Sequence, residues 1–364
     1  MARRVLQVGL IGAGNIALAH MPAFREHPGA IRLAAVCDTN PAAARARAAD
    51  MGLPESAVYT DPMKMLRDAP IDAVDLCTTH ASHAELTLAA AHAGKHVLVE
   101  KPMACSMAEC RAMIDAHAKA GTTLMVAQMQ RFEPRYVALK RLIDSGQIGR
   151  INAVRLDAMQ NLRAYMPPGH WLYDGKIAGG GIVISVMIHR IDLLRYLVGD
   201  VRSVAGVCRT VDPQAFINGA EDFAAGTLEF ENGAIGDLFG TYFGPTCPYG
   251  ESFTLFADKA TLHAIPPIGT YNTEASISHL DNTRSDLKDK WGDVYGNWQS
   301  ISPEQAGLSS SNGFINQLLH FADCCRTGER PITDGRDNIR SMAVVFALYE
   351  SSRRGGAPVQ LDSL

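Results

Sequence analysis

The stretch Val5-Leu6-Gln7-Val8-Gly9-Leu10-Ile11-Gly12-Ala13-Gly14-Asn15-Ile16-Ala17 decides the first part of the fold. Its opening run is almost wholly apolar, as a parallel strand covered on both faces must be. Glycines then recur in the pattern Gly-x-Gly-x-x-Ala at the point where strand gives way to helix. Gly12 permits the tight turn, Gly14 lets backbone N–H groups approach a pyrophosphate, and small Ala17 allows close packing of helix on strand. Asn15 and Ile16 open that helix, whose N-terminus favours negative charge. Alone, such a triplet is weak, because glycines mark ordinary turns. Here Asp38 also stands at the end of the next apolar run, where a carboxylate accepts both adenosine-ribose hydroxyls and repels a 2′-phosphate. The pattern implies a bound dinucleotide: NAD by preference, with NADP left open.

Working outward, strands are expected over 5–11, 32–37, 58–59, 73–78, 96–99 and 123–127. Helices are expected between them over 15–27, 41–51 and 62–67, from Ser82 or His83 to Gly94, and over 106–120. This alternation is that of a doubly wound parallel sheet, a Rossmann domain over residues 1–127. Residues 128–364 then form an α+β domain for substrate binding and oligomerisation. It has helices over 136–145 and 182–198 and strands over 151–160, 201–210, 224–231, 234–242 and 252–257. Asn232-Gly233 falls between two of these strands as a hairpin turn signal. Residues 271–311 are polar and read as a long loop with little regular structure. Closing helices are expected over 314–326 and about 336–353, the latter a candidate to pack back on the first domain.

Composition narrows the classes. A chain of 364 residues is long enough for two domains, and its 47% hydrophobic and 20% charged residues suit a globular enzyme. A net charge of −4 gives no basic footprint for nucleic acid or an anionic membrane. The eight cysteines form no CxxC pair and no Cys/His zinc spacing, so reduced thiols in a cytoplasmic protein, with no metal site, are expected. Arg3-Arg4 precedes an apolar run too short for a signal peptide, and no segment reads as the roughly 20 apolar residues of a membrane span.

At the end of a later strand stands Val97-Leu98-Val99-Glu100-Lys101-Pro102. In a doubly wound sheet ligands bind outside the carboxyl ends of the strands, so Lys101 faces the cofactor crevice, and Pro102 restricts its backbone. With the glycine loop, Asp38, Ala91-His92-Ala93-Gly94-Lys95-His96-Val97 and Glu100-Lys101-Pro102, the chain resembles the glucose–fructose oxidoreductase/inositol dehydrogenase (Gfo/Idh/MocA) family. The resemblance continues through Arg131-Phe132-Glu133-Pro134, Gly146-Gln147-Ile148-Gly149 and Gly179-Gly180-Gly181 to His189-Arg190-Ile191-Asp192, and so spans both domains. It implies a C-terminal domain with a large open, mainly antiparallel sheet, often used for dimer or tetramer contacts. It further implies NAD(P)-dependent hydride transfer to or from a sugar, polyol, inositol or related carbohydrate-like substrate. In such enzymes the lysine matching Lys101 binds the reacting oxygen and the histidine matching His189 serves as acid/base. Thr78, His80, His83, Glu100 and Lys101 join Gly12, Gly14, Asn15, Ile16 and Asp38 as expected cofactor contacts.

Two departures qualify this resemblance. Many relatives carry an aspartate where Ser185 stands, and a serine supplies no charge. Helical spacing puts Ser185, His189 and Asp192 on one face; Asp157, Asp174 and Asp192 are candidates for a replacement acid. Thr78-Thr79-His80 stands where relatives often show Thr-Pro-Asn near the nicotinamide, so His80 either touches cofactor or substrate or sits in a polar loop. His170, Trp171 and Tyr173, just before the triple glycine, are candidates for a substrate wall, since aromatic faces suit sugar rings. Two rival readings stay open. One is a redox-neutral, NAD-dependent glycoside-cleaving enzyme; the other is a cofactor-sensing protein without turnover.

Overall fold

A computed structural model describes residues 4–242, 251–265, 274–279 and 299–363. The chain divides into two compact units. The first comprises residues 1–132, 176–179 and 312–342; the second comprises 133–175, 180–311 and 343–364. The partition is therefore not a single cut, because the segment 312–342 belongs with the N-terminal part.

The first unit is built on six parallel strands: β1 (Leu6–Ile11), β2 (Ile31–Cys37), β3 (Val58–Tyr59), β4 (Ala73–Leu76), β5 (His96–Val99) and β6 (Leu124–Val126). Their order is β3-β2-β1-β4-β5-β6, the doubly wound arrangement expected from the alternating pattern. Five helices connect them: α1 (Asn15–Glu26), α2 (Pro41–Asp50), α3 (Pro62–Asp68), α4 (His83–His92) and α5 (Met107–Ala120). Local chemistry sets several of their ends. Asn40 caps α2 and Asp61 caps α3, each just before a proline in the first turn, while Ser106 caps α5 and Gly121 ends it in a left-handed conformation. The strand order reverses between β1 and β4, so the loops after β1, β2, β4 and β5 form the ligand edge.

The second unit carries α6 (Pro134–Asp144), β7 (Ile151–Met159), the short α7 (Gly175–Ala178, shared with the first unit), and α8 (Ile188–Val198). Then follow β8 (Val201–Arg209), β9 (Phe223–Phe230), β10 (Ile235–Thr241), β11 (Glu251–Ala257), β12 (Ala260–Ile265), β13 (Glu274–His279) and β14 (Gln299–Ser300). With β15 (Val359–Gln360) they make a sheet ordered β14-β13-β12-β11-β7-β10-β9-β8-β15, antiparallel except for β7 beside β10. Strands β13 and β14 correct the expectation of a long loop with little regular structure over 271–311: polar segments there pair as the outermost strands of the sheet. The β9–β10 turn does contain Asn232-Gly233, but it is a three-residue loop closed by Phe230 N–H on Ala234 O, with Gly233 at positive φ.

Two helices close the chain, α9 (Gly313–Thr327) and α10 (Gly335–Arg353). α9 lies in the first unit, where Leu318, Phe321 and Ala322 share a core with Met21 and Phe24 of α1. Arg131 secures the same returning segment through Ile332 O, 3.1 Å, and Asp337, 2.8 Å. The stretch Gly175–Val198 holds an 18-residue window of mean hydropathy 1.6, apolar enough to cross a membrane, which the sequence reading overlooked; 83% of that window is buried inside the protein, as in a core helix. The seven described cysteines are free, and Cys247 lies outside the described residues.

Candidate functional site

In the first unit the glycine loop is shaped by what approaches it. Gly12 sits at φ +94°, and a Cβ there would meet the Cys77 carbonyl oxygen at 2.3 Å, so only glycine allows β1 to turn against the end of β4. At Gly14 a Cβ would meet nothing within 4 Å, so the space above the turn stays open for a ligand. No side chain caps α1 and no acid stands in its first turn, so its amides face outward with their positive potential intact. Ala17 is fully buried against the sheet. Asp38 spans the loop: one carboxylate oxygen accepts from Ala13 N–H and the other from Asn40 N–H, both at 2.7 Å. Each oxygen keeps a further acceptor direction for a ribose hydroxyl. These residues fit a dinucleotide.

The loops after β4 and β5 are joined from below. His83, expected among the cofactor contacts, is fully buried and touches protein backbone instead. Its Nδ1 lies 2.8 Å from Pro102 O and its Nε2 3.2 Å from Thr78 O. Burial lowers its proton affinity, so the neutral ring donates through the shorter contact, to Pro102. His80 is also buried and donates from Nδ1 to Ala178 O at 2.7 Å; burial first, then His83 and Lys101, hold its pKa well below the ordinary value. It is thus a neutral tie between backbone segments, not an open polar-loop residue. Thr78 and Lys101 stay partly exposed at the ligand edge. The Lys101–Pro102 peptide is cis.

Glu100, another expected contact, is buried. One oxygen accepts from its neighbour's backbone, Lys101 N–H, at 3.1 Å, and the other meets His20 Nε2 at 3.2 Å. His20 reaches back through Nδ1 to Asp75, 2.8 Å away on β4. Sequence reasoning missed this triad, although its signal was present: an acid inside an apolar strand, and a histidine on the buried stripe of α1. Cys77 Sγ stands 3.7 Å from both His20 and Asp75, with burial pushing its thiol up to about 12. His20, Asp75 and Cys77 cluster as metal ligands would, but the 2.8 Å contact is a hydrogen bond and no metal is assigned.

The second unit presents the histidine. Residues 183–187 wind as a π-helical turn that runs directly into α8. Such turns are frequent at functional sites. From Gly181 to Arg195 every residue is buried except His189, which is partly exposed. Ser185 and Asp192, expected on one face with His189, are 3% and 1% exposed, so neither is open to solvent as His189 is. Asp192 lies 4.0 Å from Arg195, itself bonded to Asp200. Asp157 pairs with Arg155 at 3.5 Å, and Asp174 accepts from Asn218 at 2.8 Å, so each candidate acid already has a partner. Tyr173 is core: its ring lies 5.0 Å from Phe216 and its hydroxyl donates to Met166 O. His170 and Trp171 are partly exposed, their rings 5.4 Å apart, and remain available as a wall.

The start of the π-turn is held by Glu221, which sequence reasoning also missed. Its carboxylate accepts from Gly181 N–H at 2.7 Å, Val183 N–H at 2.9 Å and the Tyr349 hydroxyl at 3.0 Å. The glycine at 181 follows from this approach, since a Cβ there would meet the Glu221 carbonyl oxygen at 1.8 Å. Burial pushes the Glu221 pKa up to about 7 despite these donors.

Two family models match the chain. Residues 6–128 match the family model described as an oxidoreductase family with an NAD-binding Rossmann fold, and residues 136–263 match the GFO/IDH/MocA C-terminal domain. The scyllo-inositol 2-dehydrogenase (NAD(+)) of Bacillus subtilis (strain 168) is 32% identical over 90% of this chain and 88% of its own. The D-apiose dehydrogenase of Paraburkholderia graminis is 30% identical over 98% and 89%. A levoglucosan dehydrogenase solved with NADH and levoglucosan superposes with a TM-score of 0.85 at 25% identity, covering 98% of this chain and 99% of that one.

Proposed function

This chain belongs to the GFO/IDH/MocA family of NAD-binding oxidoreductases, and on that premise we propose that it interconverts a hydroxyl and a carbonyl on a sugar, polyol or inositol, with NAD as cofactor. When bound, the nicotinamide supplies the hydride acceptor or donor. The protein supplies the rest. Gly12, Gly14 and the first amides of α1 hold the pyrophosphate, and Asp38 holds the adenosine ribose. Lys101 donates a hydrogen bond to the reacting oxygen and stabilises negative charge there. His189 takes the hydroxyl proton in oxidation and returns it in reduction.

The observation that carries this reading is the solitary partial exposure of His189 on an otherwise buried helical run, in the family position for the acid/base. Ser185 supplies no carboxylate to it, so His189 manages the proton without that neighbour. His170 and Trp171 are assigned to the substrate wall. The chain is proposed to work in the cytoplasm as a homodimer or homotetramer, associating through the open face of its second sheet. The test is a panel of inositols, polyols, free sugars and anhydrosugars with NAD and NADP, followed at 340 nm. We expect turnover with NAD on at least one polyhydroxy substrate. Glycoside cleavage without net change in NADH, or no turnover on any compound, defeats the reading.

A further inference from the structure

Both ring nitrogens of His20 face carboxylate oxygens: Nδ1 faces Asp75 at 2.8 Å and Nε2 faces Glu100 at 3.2 Å. A carboxylate oxygen is an acceptor, so each contact requires a hydrogen between the two atoms. A neutral imidazole carries one N–H and would set a bare lone pair against the second acid. The three side chains are 0%, 1% and 6% exposed, so water compensates none of these charges. A cation between two anions is the arrangement that satisfies every atom. Cys77 completes the polar surroundings as a neutral thiol directed at Asp75, and the Phe314 ring of α9 lies 5.4 Å from the imidazole. The Lys101 ammonium is the other positive charge acting on Glu100.

The consequence reaches the reactive lysine. The second oxygen of Glu100 accepts from Lys101 N–H, while His83 holds Pro102 O, so the Glu100–Pro102 segment is gripped at a donor and at an acceptor. We propose that His20 is a positioning residue, a permanent imidazolium that keeps Glu100 ionised and thereby fixes the backbone from which Lys101 acts. This rests on the reading of Lys101 as the group that binds the reacting oxygen. Burial is the largest single influence and favours the neutral ring, but Asp75 and Cys77 together outweigh it and raise the pKa of His20 well above the ordinary value; burial likewise pushes Glu100 up, yet His20 and Lys101 bring it below the ordinary carboxylate value. A group with a raised folded pKa contributes its stability in full below the unfolded value, near 6.5, and loses it only as pH climbs through the folded one. The cluster therefore holds its charge through the neutral range.

Nitrogen-15 NMR of the full-length, histidine-labelled protein reads this directly. At about pH 8, where an ordinary histidine is neutral, His20 should show protons on both ring nitrogens; a bare ring nitrogen there overturns the proposal. Glu100→Met removes the acceptor facing Nε2 and puts no oxygen in its place. In that variant His20 should lose its Nε2 proton by about pH 8, and a ring still doubly protonated also overturns the proposal. His20→Gln should lower kcat at least about tenfold on the best substrate of the panel, with NAD affinity within about threefold. Unchanged kcat in a folded His20→Gln removes the positioning role. Lys101→Met separates the two readings: retained turnover sinks the role of the lysine, while the His20 resonances still decide the imidazolium.

Discussion

Lys101 and His189 are the two residues to which the proposed chemistry is assigned, and they differ in what a substitution would disturb. Lys101 is partly exposed on a segment whose backbone is gripped by Glu100 and His83. Lys101→Met removes the ammonium without touching those bonds, so turnover should vanish while fluorescence titration still shows NAD binding within about threefold. His189→Gln should cost about 10² to 10⁴ in kcat and flatten the pH profile, since loss of a positioned acid/base group has that magnitude. Kinetics of either variant matching those of the parent would withdraw that residue from the mechanism. Both are candidates from the sequence alone because each lies in a run of family residues. The supporting residues were less legible. His20 on a buried stripe reads as core, and only its distance to two acids reveals otherwise. Asp192 and Tyr173 fell into the candidate site because spacing along the chain says nothing of the core they enter.

At the scale of elements, the π-turn and its anchor make a separable device. A regular helical period was assumed through residues 182–198, whereas the turn over Val183–Met187 is wider, and Glu221 fixes where it begins. No local pattern marks Glu221, because it meets Gly181 only through tertiary pairing. Its raised pKa has a stability consequence with a definite sign. The fold favours the protonated acid, so the contribution is greatest below the unfolded value of 4.5 and declines as pH rises to about 7. The full difference is about 3 kcal/mol at 1.4 per pKa unit. The melting temperature of the parent, less that of Glu221→Gln, should therefore fall with pH across that window and level off above it. Parallel curves would mean that Glu221 does not titrate in the fold. The parallel sheet of the first unit was legible almost strand by strand, because buried runs alternate with capped helices. β13 and β14 were not, since short strands of largely polar residues lack that contrast.

At the scale of the whole molecule, the second sheet leaves apolar side chains uncovered. One face of β7, β10 and β11 is core, with Val154, Leu156, Leu238, Phe253 and Leu255 buried. On the other face Ile235 and Phe256 stand on either side of Ala153 in register, 62% and 46% exposed. Large apolar groups in the middle of an open sheet, rather than scattered singly, mark an interaction surface. The same face carries Arg155, Asp157 and Asp237, polar groups that suit the rim of an interface. In the proposed homo-oligomer a two-fold contact through this face would bring each substitution into the interface twice. Ile235→Lys combined with Phe256→Lys should convert a homo-oligomer to monomer in light scattering coupled to size exclusion. Because neither residue belongs to the nucleotide loops, NAD affinity should stay within about threefold. A parent that already runs as a monomer, or a double variant that keeps its oligomeric mass, would show that this face is not the contact.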